Sequence, residues 1–319
     1  MKVTILIPVY EGAAFVGETI RSALAQTHDA LEIVVSIDRS MDPSWSVCRA
    51  FEGDPRLRVL PPSGRRGWID HCNSLIAQVA TPWFCILPHD DLLAPTYIER
   101  LVAIAEETPS AAIVYSDIEV FGRLNVPRRG QPGDPAATAA ISQPSLTGTR
   151  VERLLAYVAE HYAAVGFRGL VRTISATAAG GLSLGARHGF AADAMWLARL
   201  AWEGDALRVP EALYRKRYHD RSVHHGWFAL DRAARLDVWH HHCLELAEWV
   251  DTLDLSDDAR DVVDRALIDR ACGRCGSVAF PEVLEQADDE IRRAGRLLNR
   301  RVARRRRAIR RAGRQLLRR

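Results

Sequence analysis

The sequence predicts an α/β fold, a mostly parallel sheet with helices on both faces. Strand-like runs alternate with helix-period patterns through the first 120 residues, the mark of successive βαβ units. One run, Trp83–Leu87, is apolar throughout, as a strand covered on both faces must be. Asp38, Asp90 and Asp91 stand just after predicted strands, where an open parallel sheet offers its ligand crevice.

In chain order, strands are expected at Val3–Pro8, Glu32–Ile37, Leu57–Leu60, Trp83–Leu87 and Ala112–Val120. Between them, Val16, Ile20, Ala23 and Leu24 recur at helical spacing, as do Trp68, Cys72, Leu75, Ile76 and Val79, and then Ile98, Leu101, Val102 and Ala105. Asp42 before Pro43 reads as a helix N-cap followed by proline at the first helical position. Residues 1–121 thus form one half of the fold. Periodicity stops at 122–149, where NVPRRGQPGDPAATAA is rich in Pro, Gly and Ala, so a loop or linker is expected. Residues 150–227 form the second half: a helix over Val151–Ala164, mixed character in FRGLVRTIS, a helix over Ala192–Trp202, and short strands at Leu207–Val209 and Leu213–Tyr218. Residues 228–290 are helical by composition.

The tail, 291–319, holds 14 Arg and no acid, so the net charge of +3 hides an acidic body of 29 basic against 40 acidic residues. Ile291, Ala294, Leu298, Val302, Ile309, Ala312 and Leu316 give the tail an apolar stripe under its Arg face. That pattern suits an amphipathic anchor on anionic lipid; a solvated charge run or a nonspecific nucleic-acid contact are the other readings of such a segment. No apolar run approaches the ~18 to 20 residues that cross a bilayer, and MKVTILIPVY suits a first strand better than a signal peptide. A cytoplasmic protein is expected, at the inner face of the membrane if the tail binds lipid. Of the six Cys, those at 48, 72 and 85 sit inside apolar periodic segments, as free thiols in a reducing compartment do. HHHC at 240–243 with CGRC at 272–275 contains zinc-type ligands, but in no familiar finger spacing.

Two adjacent acids after a buried strand cost free energy unless a cation or hydrogen-bond donors offset their repulsion and lost hydration. Asp90 and Asp91 therefore either cap a turn that starts a helix at Pro95 or hold a ligand. No G-x-G-x-x-G or G-x-x-x-x-G-K segment follows the first strand, which argues against a dinucleotide oxidoreductase or a P-loop enzyme.

ILIPVYEGAAFVGETIRSALAQT, LEIVVSIDRSMD, HDDLL and FAADAMWLARLAWEGDALRVPEALYRKRYHDRSV together resemble the family 2 glycosyltransferases of the GT-A fold. The resemblance implies a nucleotide-sugar donor, a divalent cation, Mg²⁺ or Mn²⁺, and inverting displacement onto a hydroxyl of a glycan or lipid-linked acceptor in cell-surface glycan assembly. Carried over by position, it implies that Pro8, Tyr10 and Glu11 meet the nucleobase, that Asp38 reads the base, and that Asp90 reaches the ribose and Asp91 the metal. It further implies that Asp193 is the catalytic base, Arg217 lies near the diphosphate, and His219 is a second metal ligand. The chain departs from the family pattern in four places: Glu11 stands for Asn, Ile37 for the first acid of its pair, Pro88 for the first acid of the metal motif, and Ala192 for the Glu before the base. A catalytically inactive glycan- or nucleotide-binding relative is the rival reading that Pro88 and Ala192 allow.

The chemistry fits these residue types. Charge grows on the leaving diphosphate, so preorganised positive charge is needed there, and hard oxygen ligands suit Mg²⁺ or Mn²⁺ bound through one or two carboxylates plus phosphates. Asp193 near a helix start is favoured in its ionised form by the macrodipole.

Overall fold

A computed structural model describes residues 1–122, 139–160, 164–219, 226–227 and 229–274. The tail at 291–319, Cys275 and most of the 122–149 segment lie outside the described residues. The chain divides into two compact units. The first comprises Met1–Arg153, Ala163–Gly185 and Ala192–His225, and the second Leu154–Tyr162, Ala186–Ala191 and Gly226–Arg319.

The first unit is built on a nine-stranded sheet: β1 (Val3–Val9), β2 (Leu31–Asp38), β3 (Leu57–Ser63), β4 (Trp83–Ile86), β5 (Leu92–Leu93), β6 (Ala111–Gly122), β7 (Ala139–Ile141), β8 (Leu170–Arg172) and β9 (Asp205–Tyr218). Its order is β3-β2-β1-β4-β8-β6-β9-β5, with β7 paired to β6. The first four strands are mutually parallel, and Val3, Ile5, Ile7 and Val9 of β1 and Trp83 through Leu87 are all buried. Helices α1 (Val16–Leu24), α2 (Ser44–Arg49), α3 (Trp68–Ile76) and α4 (Tyr97–Glu107) make the crossovers, each turning apolar residues inward, such as Val16, Ile20 and Ala23 of α1. The four strands and helices α1, α3 and α4 fall where the sequence pattern puts them, and α2 follows the Asp42–Pro43 segment.

Strand β8 is antiparallel to both β4 and β6, and β9 is parallel to β6. Two consequences for the site follow from strand direction alone. The carboxyl end of β9 lies at the same sheet edge as those of β1, β2 and β4, and so does the chain just before β8. The two short strands expected at Leu207–Val209 and Leu213–Tyr218 are one 14-residue strand. Its register skips from Val209, opposite Ser116, to Ala212, opposite Asp117, so Pro210 and Glu211 sit in a bulge, the place for a residue with no N–H to give.

The loop expected at 122–149 contains β7, and FRGLVRTIS resolves into a 3-10 turn at Gly166–Arg168, β8, and the start of α6 (Thr173–Ala179). Helix α5 is Arg150–Glu160 and α7 is Ala192–Glu203. Asp42 accepts from the Ser44 N–H and hydroxyl, as the expected cap does, and α2 runs from Ser44 to Arg49 with Pro43 just before it.

In the second unit, α8 (Arg232–Asp251) is capped by Asp231 and α9 (Asp257–Ala271) by Ser256. Leu236, Trp239, Leu246 and Val250 make the buried face of α8. Arg270, with no exposed surface, donates to the Val158 carbonyl at 2.8 Å near the end of α5, satisfying one of the acceptors a helix C-terminus leaves open. His242 and Cys243 are buried in α8, and no group of three or more His, Cys, Asp or Glu poised for a metal occurs among the described residues.

Candidate active site

Three loops at the carboxyl edge of the sheet are locked to one another by hydrogen bonds. After β1, the N–H groups of Glu11, Gly12 and Ala13 donate in succession to Ser40 Oγ, Ser44 Oγ and Asp42 Oδ2, at 2.9, 3.0 and 2.9 Å. Alternate side chains of the segment after β2 thus fix the backbone after β1. Gly12 is required by close approach: a Cβ there would lie 2.5 Å from His89 Cδ2. Glu11 holds φ at +46°, a left-handed conformation that Asn adopts more readily than Glu.

Asp38, 2% exposed, accepts from the N–H groups of Arg39 and Arg66 on Oδ1 and of Gly67 on Oδ2. It ties the loop after β3 to the end of β2. That loop brings the Arg65 guanidinium 4.0 Å from the centroid of the Tyr10 ring. The Tyr10 hydroxyl donates to Glu11 Oε1 at 2.9 Å and receives a hydrogen bond from Arg65. Pro8 lies on β1 opposite Ser36.

Asp90 and Asp91 have different environments. Leu92 and Leu93 form β5, antiparallel to β9, and this two-residue pairing seats the acidic turn against β9. Asp91 points inward, 1% exposed. Its Oδ1 accepts from the Arg217 N–H at 2.8 Å, and its Oδ2 from Tyr214 Oη at 2.7 Å and Arg168 Nε at 3.2 Å. Desolvation, followed by the neighbouring Asp90 charge, raises the Asp91 pKa, with Arg168, Tyr214 and Arg217 pulling the other way.

Asp90 faces outward and meets His219 Nε2 through Oδ2 at 2.9 Å. Desolvation is the largest influence on Asp90 and acts upward, but the His219 hydrogen bond and the charges of His89 and His219 outweigh it and hold the carboxyl below its ordinary range. The His219 ring stacks on Phe15 with centroids 4.7 Å apart. Arg217 donates Nε to the Asp90 carbonyl at 2.9 Å and pairs with Glu18.

Asp193 is half-buried in the first turn of α7 and accepts from the Ala194 N–H at 2.8 Å. Desolvation raises its pKa against the Ala194 hydrogen bond and the positive charges of Arg168 and Lys216. Ala192, fully buried, supplies no second carboxylate.

Two cations of this site escaped sequence reasoning. Arg168 precedes β8 in a stretch without periodicity, and only the antiparallel run of β8 brings it to the carboxyl edge. Lys216, 8% exposed, stood unremarked among Arg215 and Arg217. The period-2 rule was the available signal, since Lys216 must share the face of the apolar Tyr214. Desolvation, followed by the Arg168 charge, lowers the Lys216 pKa to about 7, although Asp91, Asp193 and Asp90 pull it upward.

Asp90 and His219 are the pair that fits a divalent cation. One hard carboxylate oxygen and one imidazole nitrogen lie 2.9 Å apart, near the ~3 Å separating adjacent ligands at 2.1 Å in an octahedral shell. Both oxygens of Asp91 are already engaged by protein donors.

A mostly parallel sheet flanked by helices, with an acidic turn, a histidine and a helix-borne carboxylate following its strands, is a Rossmann-like architecture of the GT-A type. Solved structures agree: S. aureus TarS 1–349 superposes with a TM-score of 0.60 at 16% identity, covering 86% of this chain and 72% of that one. A mannosyltransferase from Pyrobaculum calidifontis, in complex with GDP-Man and Mn²⁺, gives 0.53 at 15% identity, covering 93% and 84%. The chain belongs to glycosyltransferase family 2, whose model matches residues 4–175. An uncharacterised glycosyltransferase of Rickettsia prowazekii is 34% identical over 120 residues, and the match spans 37% of this chain and 37% of that relative. Glycosyltransferase GlyG of Streptococcus pneumoniae is 26% identical over 113 residues, 35% of this chain and 38% of that one. The chain matches little more than a third of the length of these relatives. No described helix is long and apolar enough to cross a membrane.

Proposed function

We propose that this protein transfers a sugar from a nucleoside-diphosphate sugar to a hydroxyl acceptor, with inversion, in the assembly of a cell-surface polysaccharide or glycolipid. The observation that carries the reading is the Asp90–His219 pair with Arg217 at the carboxyl edge of the sheet, with the Asp193 carboxylate in the first turn of α7, the helix that leads into β9. The family and the ligands named for its structural neighbours, UDP-GlcNAc and GDP-Man, support a nucleotide-sugar donor.

In this reading Pro8, Tyr10, Glu11 and Asp38 form the nucleobase side. Asp90 and His219 would hold Mg²⁺ or Mn²⁺, with Asp91 bracing the turn from within. When bound, the cation neutralises charge on the leaving diphosphate, and Arg217 adds a fixed guanidinium beside it. Asp193 accepts the proton of the acceptor hydroxyl as that oxygen bonds to the anomeric carbon and the bond to the diphosphate breaks on the opposite face. A positioned carboxylate contributes roughly 10²- to 10⁴-fold to such a step.

A second reading, a nucleotide- or glycan-binding protein without turnover, is favoured by Pro88 and Ala192. Calorimetry with UDP and GDP, with and without Mn²⁺, and release of nucleoside diphosphate from UDP-GlcNAc and GDP-Man separate the two. Mn²⁺-dependent binding with turnover supports transfer, binding without turnover supports the second reading, and no binding to either nucleotide refutes both. For residues 291–319 we propose a contact with anionic membrane near a lipid-linked acceptor. Their deletion should abolish cosedimentation with phosphatidylglycerol vesicles, and unchanged cosedimentation would refute it.

A further inference from the structure

We infer that Phe15 is a positioning residue: its ring fixes the plane of the His219 imidazole and so sets the geometry of the Asp90–His219 pair. The inference rests on the reading of that pair as a cation site and deepens it.

Neither member of the pair is oriented by a strand ladder, since His219 lies one residue beyond the end of β9 and Asp90 lies in the turn between β4 and β5. The Asp90 contact at 2.9 Å holds one edge of the imidazole. Phe15 covers a face of it, with centroids 4.7 Å apart and planes at 27°, a near-parallel stack at ordinary ring-pair distance. An edge contact and a face contact together define how the imidazole is turned toward Asp90.

Phe15 is itself held in place. Its N–H and that of Val16 both donate to the Gly12 carbonyl at 2.9 Å. One turn on, fully buried Thr19 donates Oγ1 to the His89 carbonyl at 2.8 Å, and Ser22 Oγ accepts from the Leu93 N–H at 3.2 Å. Gln26, just past the helix, donates to the Ala94 carbonyl at 2.8 Å and accepts from the Ile98 N–H at 3.0 Å. Positions 15, 19 and 22 are spaced by four and three, so they lie along one side of α1. That side is bonded along residues 89–98, which makes α1 and the acidic turn one body and gives Phe15 a fixed place relative to Asp90.

The effect centres on His219 and not on Arg217. The Arg217 guanidinium carbon also lies over Phe15, 4.9 Å from the ring centroid. Arg217 keeps other contacts without that ring: Phe121 at 4.6 Å, the Asp90 carbonyl and Glu18.

The test compares the full-length protein with Phe15→Leu, which removes the ring, and Phe15→Tyr, which keeps it. In protein carrying ¹³C-labelled histidine, the His219 ring signal is the one missing from His219→Gln. With no metal or nucleotide present, its relaxation should report a more mobile ring in Phe15→Leu and a wild-type ring in Phe15→Tyr. Mn²⁺ titrations followed by EPR, with UDP or GDP present, should show affinity lower by about tenfold in Phe15→Leu, the loss typical when a group orienting a metal-bound histidine is removed. Phe15→Tyr should restore it. Nucleotide binding in EDTA should fall by less, because Arg217 keeps its other contacts. Phe15→Met serves if the Leu variant does not fold and should behave as Leu does. A merely structural Phe15 would lower the melting temperature and leave the His219 ring signal as in wild type; that result in the folded Leu or Met variant overturns the inference, as does unchanged Mn²⁺ affinity where His219→Gln loses it. If His219→Gln binds Mn²⁺ as wild type does, the reading of the pair as a cation site fails instead, and ring mobility alone decides whether Phe15 holds the imidazole.

Discussion

Replacing Asp91 by Ala should cost stability, and replacing Asp90 by Ala should cost ligand binding. Asp91 is 1% exposed and is the acceptor for three donors, one of them the Arg168 guanidinium at 3.2 Å. Removing it strands a buried cation, which typically costs about 3–5 kcal/mol. Asp90 makes one side-chain hydrogen bond, to His219, and both side chains are 17% exposed; losing it should cost about 1 kcal/mol or less. In a compact unit of about 200 residues, 3–5 kcal/mol lowers the melting temperature by roughly 6–20 °C. Urea unfolding and thermal melts in EDTA read this directly, since chelation removes any contribution of a bound cation. The Asp91→Ala/Arg168→Met double variant should recover much of the loss, because an apolar pair leaves no stranded charge. If Asp91→Ala melts with wild type in EDTA, or Asp90→Ala falls as far, the division of labour between the two acids is wrong.

Asp193→Asn should lose roughly 10²- to 10⁴-fold in turnover with nucleotide binding retained. Because its folded pKa is raised, ionised Asp193 costs stability above that pKa and nothing below its unfolded value, so the Asn variant should melt higher than wild type at pH 7–8 and match it at acid pH; equal melting at both ends would contradict the direction of the shift. Gly12→Ala puts a Cβ 2.5 Å from the His89 ring and should cost about 1–3 kcal/mol together with weaker Mn²⁺-dependent UDP or GDP binding, because His89 adjoins Asp90. Glu11→Gly should gain about 1 kcal/mol by relieving the positive φ, less the lost Tyr10 hydrogen bond, as read in the same urea unfolding.

Much of the first unit was legible in the sequence. Strands β1, β2 and β4 and helices α1, α3 and α4 announce themselves because a doubly covered strand must be apolar over most of its length and a covering helix must repeat its apolar face, while the edge strand β3 shows itself by alternating buried Leu57 and Val59 with exposed Arg58. The short elements were not legible. The two residues of β5 and the three each of β7 and β8 carry no period, and Pro210 divided β9 into two apparent strands although a bulge accommodates it.

Residue types and spacing by themselves determined the fold class and the set of acids at the sheet edge, because buried parallel strands must be apolar and an open sheet presents its polar side chains at their carboxyl ends, and the quoted motifs carried the resemblance to the family. Tertiary structure decided what each acid meets. Asp90 and Asp91 are neighbours of identical chemistry, and their difference arises because β5 pairs with β9 and turns one carboxylate toward Arg168 and Tyr214 and the other toward His219. Arg168 and Lys216 joined the site for the same reason: strand direction and sheet face are settled by pairing partners distant in the chain, which local sequence does not encode.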